Sequence, residues 1–285
     1  METVISIKNL VKKYDGFHLK GISLDIPAGS IVGLVGENGA GKTTTLKAMV
    51  GSIKPDGGEI NIFEKNIKNN EKTIKQDIAV VMEESFFYQD YTPQDVQKVL
   101  KSIYKNWDDA LFKSYLEKFK LPKNKPMKEF SKGMKMKLSI ASALAHHPKL
   151  LILDEPTSGL DPVIRSEILD EFLEFIQEED HTILFSSHIT TDLEKVADYI
   201  VFMHDGKIVF HESKDELLYS YGILKCGLAE FQTIAKEDYI SYRKNAFGYE
   251  LLVKNKKEIA KKYSGFILDP ATLDDIMLFY IRGDK

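Results

Sequence analysis

The stretch Gly36-Glu37-Asn38-Gly39-Ala40-Gly41-Lys42-Thr43 satisfies G-x-x-x-x-G-K-[ST] at every required position, and it dictates what must surround it. The preceding Ile31-Val32-Gly33-Leu34-Val35 is a short, mostly apolar run bounded by turn residues, which predicts a buried strand. The following Thr44-Thr45-Leu46-Lys47-Ala48-Met49-Val50 has helical spacing and stops at Gly51. Strand, glycine loop and helix start together build an anion cradle. Glycines let the loop wrap so that backbone N–H groups point inward, and the helix N-terminus adds a partial positive charge. Gly36, Asn38, Gly39, Gly41, Lys42, Thr43 and Thr44 are therefore the candidate nucleotide contacts. Lys42 can reach the β- and γ-phosphates, and the Thr43 hydroxyl can hold Mg²⁺. A chance glycine turn is the competing reading, and at ordinary residue usage a chain of this length matches by accident about once in a hundred.

The totals narrow the class. The 285 residues suffice for one large domain or for a domain with an appendage. A net charge of −4 gives no overall basic field for nucleic acid. With Cys226 as the only cysteine, neither an intrachain disulfide nor a cysteine cluster for zinc can form. No apolar run approaches the ~18–20 residues that span a bilayer, so work at a membrane would need another polypeptide to cross it. Met1-Glu2-Thr3-Val4 lacks the basic and apolar regions of a secretory signal, so secretion is not expected.

Along the chain, Val4–Ile7 and His18–Ile26 alternate apolar with polar, as half-buried antiparallel strands do. Lys54-Pro55-Asp56-Gly57-Gly58 is a turn, and Glu59–Phe63 alternates again; Glu64 to Asp77 reads as a solvated segment with a short helix. From Pro93 the spacing becomes helical, with Val96, Val99, Leu100 and Ile103, then Leu111, Tyr115, Leu116 and Phe119. These predict two or more helices, ending near His147-Pro148, inserted between strands of one sheet. Leu150–Leu153 is a continuous apolar run of the kind buried on both faces. Asp161-Pro162 supplies an N-cap and first-turn pair ahead of the stripe Ile164, Ile168, Leu169, Phe172, Leu173, Phe175 and Ile176. Thr182–Ser186 predicts a strand, and Tyr199–Met203 and Lys207–Phe210 flank the hairpin signal His204-Asp205-Gly206. Beyond Lys214, Leu224–Ile234 and Tyr249–Val253 suggest strands and Lys256–Tyr263 a basic helix. Thr272-x-x-Asp275 has the form of a capping box before Leu273, Ile276, Met277, Tyr280 and Ile281 on one helical face.

Leu150-Leu151-Ile152-Leu153 ends in Asp154-Glu155. In a phosphate-loop protein, Asp154 at the strand tip is placed to bind Mg²⁺ directly or through water. Glu155, one residue on, can position or deprotonate a water in line with the γ-phosphate. On these residues the sequence resembles the ATP-binding subunits of ABC transporters. Asp154-Glu155-Pro156-Thr157-Ser158-Gly159-Leu160-Asp161 is similar to that family's Walker B motif and D-loop, and Phe130-Ser131-Lys132-Gly133-Met134 to its signature motif, ordinarily LSGGQ. His188 matches the switch histidine and Tyr14 the aromatic residue that stacks on adenine, so the resemblance covers roughly residues 2 to 212. The F-S-K-G-M form resembles ABC-2-type bacterial exporters, including those for lantibiotics and other peptides.

Two positions depart from the family pattern. Glu83 stands where glutamine is usual; it can still ligate Mg²⁺ or a water, but it brings a negative charge beside the triphosphate. Lys132 and Met134 replace glycine and glutamine in the signature, while Ser131 and Gly133 are retained. The resemblance implies a head-to-tail pair of subunits with each ATP between one phosphate loop and the other subunit's signature, so that Ser131 and Gly133 act in trans. It implies Lys42, Glu155 and His188 as the catalytic set, Thr43 and Asp154, with Glu83, as Mg²⁺ ligands, and ATP as the cofactor. It also implies a cytoplasmic protein at the inner face of the membrane. Its partners would be a separate membrane-spanning permease and a second, identical or homologous ATP-binding subunit.

The fold expected is α/β: a P-loop NTPase (RecA-like) core with an antiparallel β subdomain, a helical insertion and a small α/β C-terminal appendage. Residues 1–213 would form the ATP-binding domain, with a helical subdomain at about 90–147, and 214–285 an appendage for packing, dimerisation or sensing. Phe86-Phe87-Tyr88, with Tyr91, reads either as core under the helical insertion or as the lining of a groove for a helix of the membrane subunit. His146 and His147 carry no ligand spacing. The expected function is the motor subunit of an exporter of peptides, antimicrobials or other amphipathic compounds. A soluble ABC ATPase acting on ribosomes or nucleic acid is the alternative, against which stand the single phosphate loop and the lack of a heptad insertion between Thr43 and Asp154.

Overall fold

The computed structural model describes residues 2–83 and 87–284. Among them are three sheets. The first is antiparallel, built from β1 (Thr3–Tyr14), β2 (Phe17–Pro27), β4 (Gly57–Ile62) and β5 (Lys65–Asn66) in the order β2-β1-β4-β5. β1 extends well past the alternating Val4–Ile7. Its register shifts between Ile7 and Leu10, where Asn9 takes a positive φ of 49°, and that bulge breaks the period-2 pattern. Facing the bulge is Gly58, where a Cβ would fall 2.4 Å from the Asn9 carbonyl oxygen, so only glycine fits.

The second sheet has the order β10-β9-β3-β8-β7-β6, formed by β3 (Ile31–Val35), β6 (Ile78–Val81), β7 (Leu150–Asp154), β8 (Thr182–Ser187), β9 (Tyr199–His204) and β10 (Lys207–Ser213). Neighbours are parallel except β10, which returns antiparallel to β9. The hairpin predicted at 204–206 is present, with Asp205 and Gly206 both at positive φ (45° and 70°), the geometry that suits the twist of the flanking strands. β3, β7 and β8 are buried at every residue, which explains the apolar runs at their centres.

Alternate side chains of these strands feed two cores. Val32, Leu34, Leu150, Ile152 and Leu184 pack with the first sheet and with α1 (Lys42–Met49). Ile31, Val35, Leu151, Leu153, Ile183 and Phe185 pack on the opposite face with the helical insertion and with α6 (Pro162–Phe175). Before the insertion α2 (Ile67–Asp77) leads into β6; the insertion itself holds α3 (Pro93–Ile103), α4 (Asp109–Lys118) and α5 (Lys132–Leu144). α3 starts on a Thr92/Asp95 capping box, α4 on Asp108 and α6 on Asp161 with Pro162 in its first turn. Val99, Ile103 and Leu173, spaced like core positions, are exposed. α7 (Thr190–Val196) follows β8.

The third sheet lies in the C-terminal part: β11 (Gly222–Cys226), β12 (Ser241–Asn245), β13 (Gly248–Val253) and β14 (Ile267–Pro270), ordered β12-β13-β11-β14, with α8 (Lys214–Ser220), α9 (Leu228–Phe231), α10 (Lys256–Lys262) and α11 (Leu273–Arg282) around it. The strand expected over Leu224–Ile234 stops at Cys226. Glu230 reaches back to the Gly227 N–H at 2.6 Å and starts a short helix there. The Thr272/Asp275 capping box on α11 forms as expected. One face of this sheet, with Ile223 and Leu252, shares its core with Leu193, Val196, Phe202 and Phe210 of the preceding part. The other face, with Leu224, Leu251 and Val253, has a core of its own.

Candidate nucleotide site

Parallel register brings the site together. Val35 of β3 is opposite Ser187 of β8, and Ser186 of β8 is opposite Asp154 of β7. The loops leaving these strands at their C-terminal ends are therefore neighbours, where open α/β sheets bind ligands. Gly39 and Gly41 take φ of 84° and 110° in the loop from β3 to α1. A Cβ at Gly36 would come 2.3 Å from the Met203 carbonyl oxygen, so the loop's first glycine is required by packing as well as by wrapping.

Lys42, in the first turn of α1, is buried and curls back over the loop. Its ammonium donates to the Gly36 carbonyl at 2.7 Å and lies 3.4 Å from Oε1 of Glu155. Thr43 donates its hydroxyl to Oδ1 of Asp154 at 3.1 Å, and Ser186 Oγ donates to the same oxygen at 2.6 Å. Glu155 leaves the strand at φ 51°, a left-handed conformation rare for a non-glycine residue, and its N–H donates to Ser186 Oγ at 3.0 Å. That turn aims the carboxylate back over the sheet. Its Oε2 accepts from Nδ1 of His188 at 2.7 Å and from the His188 backbone N–H at 3.3 Å.

The structure thus joins Lys42, Thr43, Asp154, Glu155 and His188 in one cluster, with Lys42, Asp154 and Glu155 buried, Thr43 half buried and His188 exposed at its edge. Asn38 sits exposed at the loop tip and Thr44 is half buried in α1. Tyr14 is exposed at the end of β1, with the Lys12 ammonium 5.4 Å from its ring centre. Ser131 caps α5, its Oγ accepting from the Met134 N–H at 3.2 Å. A Cβ at Gly133 would fall 2.5 Å from Cδ1 of Ile164, so this glycine lets α5 approach α6. The contacts of Ser131 and Gly133 are with α5 and α6 rather than with the phosphate loop. Glu83, just beyond β6, pairs with Lys132 at 3.8 Å.

Ser186 was not assigned a role from the sequence. Its signal in the sequence is a hydroxyl at the C-terminal end of a buried strand whose middle, Ile183-Leu184-Phe185, is apolar. His146 is a structural core residue: it stacks on Tyr104 at 3.8 Å between ring centres, shares a 3.1 Å hydrogen bond with the Ile78 carbonyl, and burial holds its imidazole below the ordinary histidine range. Phe87 and Tyr91 are partly buried against the core, whereas Tyr88 is exposed; Phe86 lies outside the described residues.

A phosphate loop closed by a buried lysine, and a hydroxyl and a carboxylate sharing one point at the adjoining strand tip, define a P-loop nucleoside triphosphatase. Oxygen donors on Thr43 and Asp154 suit a hard divalent cation that keeps phosphate and water among its ligands. A family model described as ABC transporter matches residues 19–158. The bacitracin transport ATP-binding protein of Enterococcus faecalis is 37% identical over 220 residues, 76% of this chain and 71% of that protein. The lantibiotic transport ATP-binding protein of Streptococcus pyogenes is 37% identical over 215 residues, 74% of this chain and 92% of the relative. A solved ATP-binding subunit of an ABC transporter matches with a TM-score of 0.69 at 28% identity, covering 75% of this chain and 92% of the other. The chain belongs to the ABC transporter family, as an ATP-binding and ATP-hydrolysing subunit. The relatives do not favour the ribosome- or nucleic-acid-directed alternative.

Proposed function

We propose that this chain drives an exporter of peptides, antimicrobials or other amphipathic compounds. The observation that carries the catalytic part is Glu155 held between Lys42 and His188 beside the phosphate loop. The substrate class is carried over from the bacitracin and lantibiotic transport relatives.

On this reading the loop N–H groups and Lys42 bind the phosphates, and Tyr14 stacks on the base. Mg²⁺, when bound, would neutralise phosphate charge, and Thr43 and Asp154 are the residues that would hold it, with Glu83 within the same rim. Glu155 orients a water and accepts its proton at a carboxylate oxygen; His188 fixes that carboxylate through Nδ1. Ser131 and Gly133 complete the partner subunit's site in a head-to-tail dimer, where the α5 N-terminus favours negative charge. A separate permease would carry the membrane crossing, with this chain at the cytoplasmic face. Among the described residues no helix is long and apolar enough to cross a membrane. Residues 214–285 are read as an appendage to the ATP-binding domain of 1–213.

The test is purification of the Glu155→Gln form from its host in mild detergent with ATP, followed by mass spectrometry. A multi-span protein at near-equal stoichiometry supports the reading; ribosomal proteins without a membrane subunit would overturn it.

A further inference from the structure

Glu83 and Lys132 are opposite charges that face each other across two elements of one chain. Val81 of β6 is in register with Leu153 of β7, so Glu83, two residues past Val81, emerges on the same rim as Asp154 and Glu155. Lys132 is the first residue of α5, immediately after the Ser131 cap. Its ammonium is 3.8 Å from Oε1 of Glu83, and a Cβ built on Gly159 in the loop after β7 would lie 3.0 Å from that same nitrogen. Lys132 therefore bridges the loop after β6 and the loop after β7.

A lysine in the first turn is the wrong charge for a helix N-terminus, and α5 has no acidic residue in that turn to offset it. Glu83 supplies the missing negative charge from outside the helix. Both side chains are about half exposed, at 50% for Glu83 and 49% for Lys132, so the pair is weak enough to be exchanged for another partner. Lys42 and Glu155 offer a contrast, since both are buried and locked into the site.

We infer that Glu83 is an internal anion that masks the α5 N-terminus until a cation claims it. Lys132 holds the Glu83 carboxylate away from the nucleotide, and ATP with Mg²⁺ draws it off. The first turn of α5, with an unpaired Lys132, is then free to take the phosphates of the partner's nucleotide. Two residues that each look unfavourable alone become a link between a subunit's own site and the one it completes. The second half of this inference rests on the head-to-tail reading above.

The test is a double-mutant cycle with Glu83→Gln, Lys132→Ala and the double variant, all checked for unchanged melting temperature. For each monomer, the dissociation constant of a fluorescent ATP analogue is measured in Mg²⁺ and in EDTA. Freed from Lys132, the carboxylate tightens binding with the cation and weakens it without. Lys132→Ala should therefore raise the Mg²⁺ preference by about two- to fivefold, the range open to a half-exposed pair. In the Glu83→Gln background the same substitution should leave that preference unchanged. An equal effect in both backgrounds, or none in either, would overturn the pair's role. Light scattering of the Glu155→Gln form with ATP reports the second half. There, adding Glu83→Gln should lower the concentration for half-dimerisation and Lys132→Ala should raise it; the absence of any ATP-dependent dimer would sink the head-to-tail reading while the monomer cycle still decides the pair.

Discussion

Oδ1 of Asp154 accepts two hydroxyls at once, from Ser186 at 2.6 Å and from Thr43 at 3.1 Å, and Ser186 Oγ also accepts the Glu155 N–H. One serine thus orients both carboxylates of the site, the first through its side chain and the second through its backbone. Ser186→Ala should destabilise the fold by about 1.5–3 kcal/mol, the range for a hydrogen bond to a charged group. It should also raise the Mg²⁺ concentration for half-maximal ATPase. Thermal melts and a Mg²⁺ titration check both effects; an unchanged titration would confine Ser186 to folding.

The buried Lys42 ammonium has two roles, since it ties the loop carbonyls and faces Glu155. Lys42→Ala should abolish measurable ATP binding by fluorescence or calorimetry while far-ultraviolet circular dichroism stays native.

Gly133 has a packing duty inside the chain besides its proposed one in trans. Gly133→Ala drives a methyl against Ile164 and should cost about 1–3 kcal/mol. Shortening the neighbour with Ile164→Val should recover part of the loss in melting temperature. Full stability in Gly133→Ala would mean that the α5–α6 approach is looser than the structure has it.

Much of this arrangement could be read from sequence because local chemistry and tertiary need coincide there. The phosphate loop, the apolar strand ending in Asp154-Glu155, the Asp161-Pro162 helix start and the Asp205-Gly206 hairpin each carry their own instructions. Elsewhere local signals were weak. The continuation of β1 past Ile7 hides behind a bulge at Asn9, and β12, Ser-Tyr-Arg-Lys-Asn, is a largely exposed, charged edge strand with little alternation. Ser186 reads as a strand end, because its hydrogen bond to Asp154 comes from parallel register with a strand 32 residues away in sequence. The Glu83–Lys132 pair spans a longer separation still, and each residue alone read only as a departure from the family pattern.

His146 supplies a pH dependence of stability. Burial holds its folded-state pKa below the ordinary histidine range, so the unfolded chain binds more protons there. Its contribution is fully present above the unfolded pKa and is lost as pH falls from there toward the lower folded value. Melting temperatures should drop between about pH 7.5 and 5.5. His146→Gln should be less stable at pH 7.5 yet lose less over the same interval; an equal slope in both proteins would assign the dependence to other groups.

The central claim is that Glu155, gripped by Lys42 and His188, handles the attacking water. Single-turnover hydrolysis of ATP by Glu155→Gln tests it most directly, with nucleotide affinity measured in parallel. The ATP dissociation constant should stay near that of the parent, while the hydrolysis rate should fall by about 10²- to 10⁴-fold, the usual contribution of a positioned base. A rate within a few-fold of the parent would contradict it and move the water-handling role to another side chain.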